Sequence, residues 1–469
     1  MKRPHRRFNS FARCLLFVTA FIVFASGSNV AAQSVPTARW LLVSDIHFNP
    51  FDDINLVPAL AQSPATGWHD LLARTSAQPS TYGKDTNYAL LASALAQMRT
   101  AVPDPPVIVI TGDFLAHDFL DFFERTQPGK PVAAFQSFVD KTIAYLALEM
   151  NAAYPNAQFV ITLGNNDGYC GDYESTPNSP FLAHMAQAWA PLVNRNGRAP
   201  DFIASFPSGG YYVATLPTRT TSQAIVVNSV FWSAKYRNAC GVANTDPGAT
   251  ELDWLRATVN TPTVGYRWFV THIPPGIDAN SSMRGGKAVP FMQDYATQQL
   301  ALTLSSASAH GAEFIAGHTH HASFEIVGQS SGAPLPTLVV PSISPVQANN
   351  PAFIVANVAT DSGTITDMTT YAFLLPLLGN AQPAVWTREY SFLAAYGVGA
   401  FDATGLGRLQ TLLADDPIKR SAYANFYGSQ SPVGAINPAN WPWYWCADVN
   451  ITAQAYTSCI AQTLPRAAL

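Results

Sequence analysis

Seven side chains of metal-ligand type recur in five short segments of the chain. They are Asp45 and His47 in Asp45-Ile46-His47, Asp113 after Gly112, Asn165 after Gly164, His272 after Thr271, and His318 and His320 in Gly317-His318-Thr319-His320. Each segment closes an apolar run: Trp40-Leu41-Leu42-Val43 leads to Asp45, Val107-Ile108-Val109-Ile110 to Asp113, Phe159-Val160-Ile161 to Asn165, Trp268-Phe269-Val270 to His272, and Phe314-Ile315-Ala316 to His318. Such runs read as buried strands, and strand ends in α/β proteins are where ligands bind. In extended chain, residues i and i+2 point to one side, so Asp45 and His47 can hold one ion together. Histidine and carboxylate ligands without cysteine suit Zn, Mn or Fe. A site for two ions about 3.5–4 Å apart needs one bridging carboxylate and several terminal ligands, and Asp113 is the natural bridge. The neutral amide oxygen of Asn165 suits a position where one more anion would over-charge the site. Singly, each segment could be an ordinary turn; the ordered set is the signal. His117 follows Asp113 by four residues, close enough to support the site or to donate a proton.

The chain has 469 residues, room for one large domain and a smaller one. Hydrophobic residues make up 48%, which allows a sizeable core. Charged residues make up only 12%, about half the usual share, and no charge run marks a nucleic-acid surface. Residues 1–32 read as a signal peptide. Lys2, Arg3, Arg6, Arg7 and Arg13 form a basic region, Cys14 to Ala25 is apolar but short for a membrane span, and Val30-Ala31-Ala32 offers a cleavage site. The alternative is an uncleaved anchor. Cleavage removes five of the 26 Lys and Arg and none of the 30 Asp and Glu, leaving a formal charge of −9. No later apolar run is long enough for a membrane helix, so a secreted or periplasmic protein is expected. Four cysteines remain, Cys170, Cys240, Cys446 and Cys459. An even count in an exported chain points to two disulfides. Of the three pairings, the short local loop favours Cys446–Cys459, which leaves Cys170–Cys240. No CxxC spacing points to cysteine-bound zinc.

Between the site segments, apolar spacing predicts helices at 87–98, 135–150, 180–193, 250–259 and 293–309. Residues 50–85 read as a long loop with short helical pieces, and 276–289, rich in Gly and Ser, as a mobile loop over a site. Residues 211–215 and 223–229 read as an antiparallel pair in a second sheet, which 335–341 and 352–358 are expected to finish. From about 385 the pattern turns to aromatics and short helical segments, ending in Trp441-Pro442-Trp443-Tyr444-Trp445-Cys446. This gives three regions: the signal peptide, a catalytic domain at 33–384, and a helical C-terminal domain at 385–469. The C-terminal aromatics are expected to form a small core rather than a lipid-touching surface.

The five motifs, spread over residues 45–320, resemble those of the calcineurin-like metallophosphoesterases. The resemblance implies an α/β fold of two face-packed mixed sheets flanked by helices. It also implies two divalent ions, with Asp45, His47 and His320 on one, Asn165, His272 and His318 on the other, and Asp113 between them. Thr111-Gly112-Asp113 with Ala116-His117-Asp118, the run Glu174-Ser175-Thr176-Pro177-Asn178-Ser179-Pro180-Phe181, and the C-terminal cysteine pair resemble the acid sphingomyelinase-like phosphodiesterases. The wording Gly164-Asn165-Asn166-Asp167 is also similar to the endopolyphosphatases of that branch. The wider family has Gly-Asn-His at this turn, with the histidine near the leaving group; Asn166 stands there instead. An amide can hydrogen-bond a phosphoryl oxygen but supplies no proton at neutral pH. The acid is then His117, or the leaving group needs none, and Asn166 positions the phosphate. The expected activity is hydrolysis of a phosphodiester or phosphoanhydride by a metal-bridging hydroxide. Candidate substrates are phosphocholine lipids, nucleotides and polyphosphate, though the charge of −9 disfavours polyanions. Phosphomonoesterase or endopolyphosphatase activity is the alternative within the class, and a non-catalytic metal-stabilised binding protein the alternative outside it.

Overall fold

A computed structural model describes residues 35–464 apart from 76–77, 239, 241–245, 262–264, 308–310, 328–333, 378–382 and 434–435. The predicted signal peptide lies outside the described residues. The site-bearing runs are strands, as their composition predicts: β1 (Thr37–Val43), β2 (Val107–Ile110) and β3 (Gln158–Ile161) in one sheet, with β4 (Tyr212–Thr215), β5 (Gln223–Val226), β6 (Arg267–Val270) and β7 (Ala312–Ala316) in another. The second sheet continues with β8 (Ser323–Val327) and β9 (Leu335–Val339), the first with β10 (Ala352–Ala359), β11 (Ile365–Leu374) and β12 (Val385–Ser391). The strand orders are β12-β11-β10-β1-β2-β3 and β4-β5-β6-β7-β9-β8, so both sheets have six strands and are mixed. β1, β2 and β3 are parallel neighbours, as are β5, β6 and β7. All four residues of β2, β3 and β6 are buried, the pattern of parallel strands covered on both faces.

The two sheets share one core. Trp40 of β1 meets Trp268 of β6, ring centroids 4.9 Å apart and both rings buried. The Trp268 indole N–H donates to Gly363 O at 2.8 Å. Tyr212 of β4 donates its hydroxyl to Ile161 O of β3 at 3.0 Å and accepts from Ile161 N at 2.8 Å. Helices form where apolar spacing and caps agree. Pro180–Val193 begins with Ser179 capping Leu182 N and Pro180 in the first turn, where a missing N–H is harmless.

Several expectations are corrected. Residues 352–358 belong to the first sheet, not the second: β10 pairs antiparallel with β1 from Leu42–Ile354 to Thr37–Ala359. Neighbours in sequence usually pair, but here the chain returns to its own N-terminal strand. The Gly/Ser-rich stretch 276–289 contains a helix, Ala279–Gly285, because Asp278 caps Ser281 N at 2.8 Å and Gly286 supplies a left-handed C-cap. Val385–Ser391 is an edge strand, and the helical C-terminal region begins at Phe392 with Phe392–Tyr396, Ala403–Asp415, Pro417–Tyr427, Trp441–Val449 and Ala453–Thr463. Its aromatics form a core: Tyr423, Trp441, Tyr444 and Tyr456 are buried. Both disulfides, Cys170–Cys240 and Cys446–Cys459, are formed.

Trp268→Ala removes the ring that joins the sheets and leaves a cavity, so chemical denaturation should show a loss of about 3–5 kcal/mol. A loss below about 1 kcal/mol would mean that the sheets are held together elsewhere.

Candidate metal centre

Each site segment leaves the C-terminal end of a central parallel strand: Asp45 and His47 after β1, Asp113 after β2, Asn165 after β3, His272 after β6, His318 and His320 after β7. The structure brings all seven together. The loops are tied to one another by backbone hydrogen bonds, Asp45 N to Gly112 O at 3.1 Å, His47 N to Asp113 O at 2.9 Å and Gly317 N to His272 O at 2.8 Å. Gly164 and Gly317 permit the approach. A Cβ on Gly164 would lie 2.0 Å from Asp113 Oδ1, and one on Gly317 would lie 2.0 Å from Ser44 Oγ. Five of the seven residues, Asp45, His47, Asp113, His318 and His320, have positive φ, between 42° and 75°. This region is sparsely populated by non-glycine residues but best tolerated by Asp, Asn and His.

Asp113 is at the centre. Its Oδ2 lies 3.3 Å from His47 Nε2 and 3.3 Å from His272 Nε2. On one side, His47 Nε2 lies 3.2 Å from His320 Nε2, and Asp45 Oδ1 lies 3.5 Å from His320 Nε2. On the other, His272 Nε2 lies 3.0 Å from Asn165 Oδ1 and 3.3 Å from His318 Nδ1. These are two nests sharing one carboxylate oxygen.

The outer atoms of the ligands fix which face they turn inward. His47 Nδ1 donates to Leu115 O at 2.9 Å and His272 Nδ1 to Thr111 O at 2.7 Å, so each neutral ring presents an Nε2 lone pair. His318 Nε2 donates to the Tyr173 hydroxyl at 3.3 Å, leaving Nδ1 for the site. Asn165 Nδ2 donates to Asp172 Oδ1 at 2.6 Å, which turns its Oδ1 toward His272. Acceptors therefore face acceptors at hydrogen-bond distance, and buried Asp45 Oδ1 has no hydrogen-bond donor. This arrangement fits cations. Protons offer partial relief: burial opposes charge on His272, but Asp113 outweighs it and raises the imidazole to about 9, and His47 moves up for the same reason. Burial pushes His318 and His320 down to about 3, keeping them free to ligate. Burial works against ionised Asp113 too, but His272 and His47 hold it well below the ordinary carboxylate range.

His117 stands beside this centre, partly exposed and stacked on His47 with centroids 4.1 Å apart. Asp85 holds it twice, Oδ1 accepting from Nδ1 at 3.0 Å and Oδ2 from the backbone N at 2.9 Å. Asn166 is held to Asp113, its backbone N donating to Oδ1 at 2.8 Å and its Nδ2 to Oδ2 at 2.9 Å. A cavity of about 280 Å³ opens over Asp113, His117, Asn165, Asn166, His318 and His320.

Sequence reasoning missed Asp85, Asp167, Asp172 and Tyr173. Buried Asp167 accepts four backbone N–H bonds, from Asp113 and Gly164 on Oδ2 and from Phe114 and Leu115 on Oδ1, and so clamps the Asp113 loop to the Asn165 loop. Its place in the Gly164–Gly168 turn was a usable signal. Asp85 lies 32 residues from His117 in a loop without pattern, and nothing local marks it.

The family model for calcineurin-like phosphoesterases matches residues 38–322, which spans every residue of the centre. Three characterised proteins are similar over most of their length. A sphingomyelinase phosphodiesterase D from Dictyostelium discoideum is 27% identical over 74% of this chain and 73% of its own. An acid sphingomyelinase-like phosphodiesterase 3b from Homo sapiens is 23% identical over 94% and 93%. A cyclic GMP-AMP phosphodiesterase from Mus musculus is 22% identical over 90% and 91%.

Removing the outer partner of a ligand typically lowers metal affinity about 10–100-fold. Asp172→Ala should therefore weaken one of two bound ions by about that factor in calorimetric titration of chelator-stripped protein, and leave the other near its wild-type affinity. Two unchanged affinities would show that Asp172 does not orient Asn165.

Proposed function

We propose that this chain, which belongs to the calcineurin-like phosphoesterase family and is a metal-dependent phosphoric ester hydrolase, acts on phosphodiesters at a centre for two divalent ions. The observation that carries the reading is the single oxygen of Asp113, equidistant from the two histidines that head the two nests. Asp45, His47 and His320 would hold one ion, Asn165, His272 and His318 the other, and Asp113 both. Zinc suits this N/O donor set, with Mn or Fe as alternatives. Bound there, two cations neutralise phosphoryl oxygens and lower the pKa of a water.

The chain's own residues do the rest. Asp85 fixes His117 with Nδ1 outward, so that Nε2 is the atom left to hand a proton to the departing oxygen. Asn166 donates its backbone N–H and one Nδ2 hydrogen to Asp113 while lining the cavity, so its role is to hold the bridging carboxylate and border the phosphate rather than to protonate. Lys235 lines the same cavity and donates to the Tyr173 hydroxyl at 3.3 Å; its charge favours a phosphate beside His318. The diester preference rests on the relatives, which are phosphodiesterases by name. Two disulfides suit an oxidising compartment, and no helix among the described residues is long and apolar enough to cross a membrane. Both support a secreted or periplasmic enzyme.

Initial rates on bis-p-nitrophenyl phosphate and p-nitrophenyl phosphate, after metal loading, test the reading. The diester should turn over faster, and Asp113→Asn should remove both activity and bound metal. Faster monoester turnover would make the protein a phosphatase, and full activity in Asp113→Asn would remove Asp113 from the bridge. His117→Ala should cost about 10²-fold or more on a diester with an alkyl leaving group and much less on the nitrophenyl ester, whose leaving group needs no proton. Equal losses on both would remove the acid role.

A further inference from the structure

The loop between Asn165 and the helix Pro180–Val193 brings a further polar group to the cavity. Tyr173 lines it together with Asn166 and His318 and is 8% exposed. Its backbone has φ 59°, a left-handed conformation that is unusual for a bulky side chain and that clusters at functional sites. Neighbours on both sides hold it there. Tyr173 N donates to Asn165 O at 2.9 Å, and Arg237 N donates to Tyr173 O at 3.1 Å. The segment 233–240 is fastened to this loop along its length. Tyr236 donates its hydroxyl to Ser175 O at 3.0 Å, the Arg237 guanidinium lies 3.5 Å from Glu174 Oε1, and the Cys170–Cys240 disulfide closes the far end. These ties bring Lys235 to Tyr173.

A phenol oxygen can accept hydrogen bonds and has one hydrogen to donate. The Tyr173 oxygen accepts twice, from His318 Nε2 and from Lys235 Nζ, each at 3.3 Å. Its own hydrogen is not used: among the described residues, no group accepts it. Asp172 and Asp278 line the same cavity, but their carboxylates are engaged with Asn165 and Ser281. A hydroxyl hydrogen left without an acceptor on a cavity wall is available to whatever enters the cavity. The ammonium makes it a better donor, because linked hydrogen bonds polarise one another and Lys235 draws electron density from the oxygen.

We propose that Tyr173 is a catalytic residue whose hydroxyl donates to an oxygen of the substrate phosphate on the His318 side of the centre, and that Lys235 is the positioning residue that polarises it. The inference rests on the phosphoesterase reading and adds a substrate contact to it. The placement complements His117, which stacks on His47 in the other nest, so each nest has a hydrogen-bond donor of its own beside it. A donor fixed in place before the phosphate arrives stabilises charge on the phosphoryl group without reorganising. The disulfide and the Arg237 contacts supply that fixing.

The test is Tyr173→Phe in the metal-loaded protein, which removes the hydroxyl and keeps the ring. On bis-p-nitrophenyl phosphate at saturating metal, kcat/KM should fall about tenfold to a hundredfold, and calorimetric titration should show inorganic phosphate binding weakened by about fivefold or more. Lys235→Met should lower kcat/KM by a smaller factor, which also covers the case of Tyr173→Phe failing to fold. The double variant should lie within about twofold of Tyr173→Phe alone, because Lys235 acts through the hydroxyl. Wild-type kcat/KM in Tyr173→Phe overturns the proposal. So does a loss that disappears as the metal concentration is raised, since Tyr173 would then serve only to orient His318 toward its ion. Single losses that multiply in the double variant overturn the role of Lys235. Wild-type protein that turns over neither bis-p-nitrophenyl phosphate nor p-nitrophenyl phosphate overturns the phosphoesterase reading and this inference together. Wild-type turnover with an unaffected Tyr173→Phe overturns the inference alone.

Discussion

The centre depends on lone pairs that have no donors of their own. His47 Nε2, His272 Nε2 and Asn165 Oδ1 all point inward, because Leu115 O, Thr111 O and Asp172 have already taken the protons on the outer sides. Burial magnifies the repulsion among them, since little water screens it. A fold that only had to be stable would not gather seven acceptors in this way. The rest of the chain holds them there until something positive arrives.

Two parallel sheet segments do the holding. Loops at the C-terminal ends of β1, β2 and β3 meet those of β6 and β7, and the ligands come from both sheets, so the face-to-face packing around Trp40 and Trp268 is also what sets the spacing of the two nests. Left-handed backbone at five ligands costs about 1–3 kcal/mol each where the region is unfavourable. That cost is offset locally. Asp167 ties four amides of two ligand loops to one carboxylate, and the glycines at 164 and 317 let the loops close to distances that any side chain would prevent.

The parts of this architecture that were legible in the sequence are those written locally. A run such as Val107–Ile110 followed by Gly112-Asp113 carries both the strand and the chemistry at its end, and the same holds at Asp45, Asn165, His272 and His318. The short Cys446–Cys459 loop likewise pointed to its own disulfide. What was not legible is pairing over distance. β10 reads as a strand, but nothing in Ala352–Ala359 says that its partner is β1, more than 300 residues earlier, rather than the strand just before it. β8, β11 and β12 mix polar and apolar positions and gave no clear run. Asp85 and Asp172 escaped for the same reason as β10. Each matters through a side chain far away or around a turn, and an aspartate in a loop is ordinary until its partner is known.

The helical C-terminal region then has a physical reason to be present. Helices Pro417–Tyr427 and Trp441–Val449 pack beside β8 and add Tyr427, Tyr444 and Asp448 to the wall of the cavity. The aromatics expected from the sequence to form a small core do so, and two of them also border the space next to the ligands. The division of labour follows from distance. The sheet ends place the acceptor groups of the centre. The helices, arriving last in the chain and carrying little of the sheet hydrogen bonding, shape the space beside them.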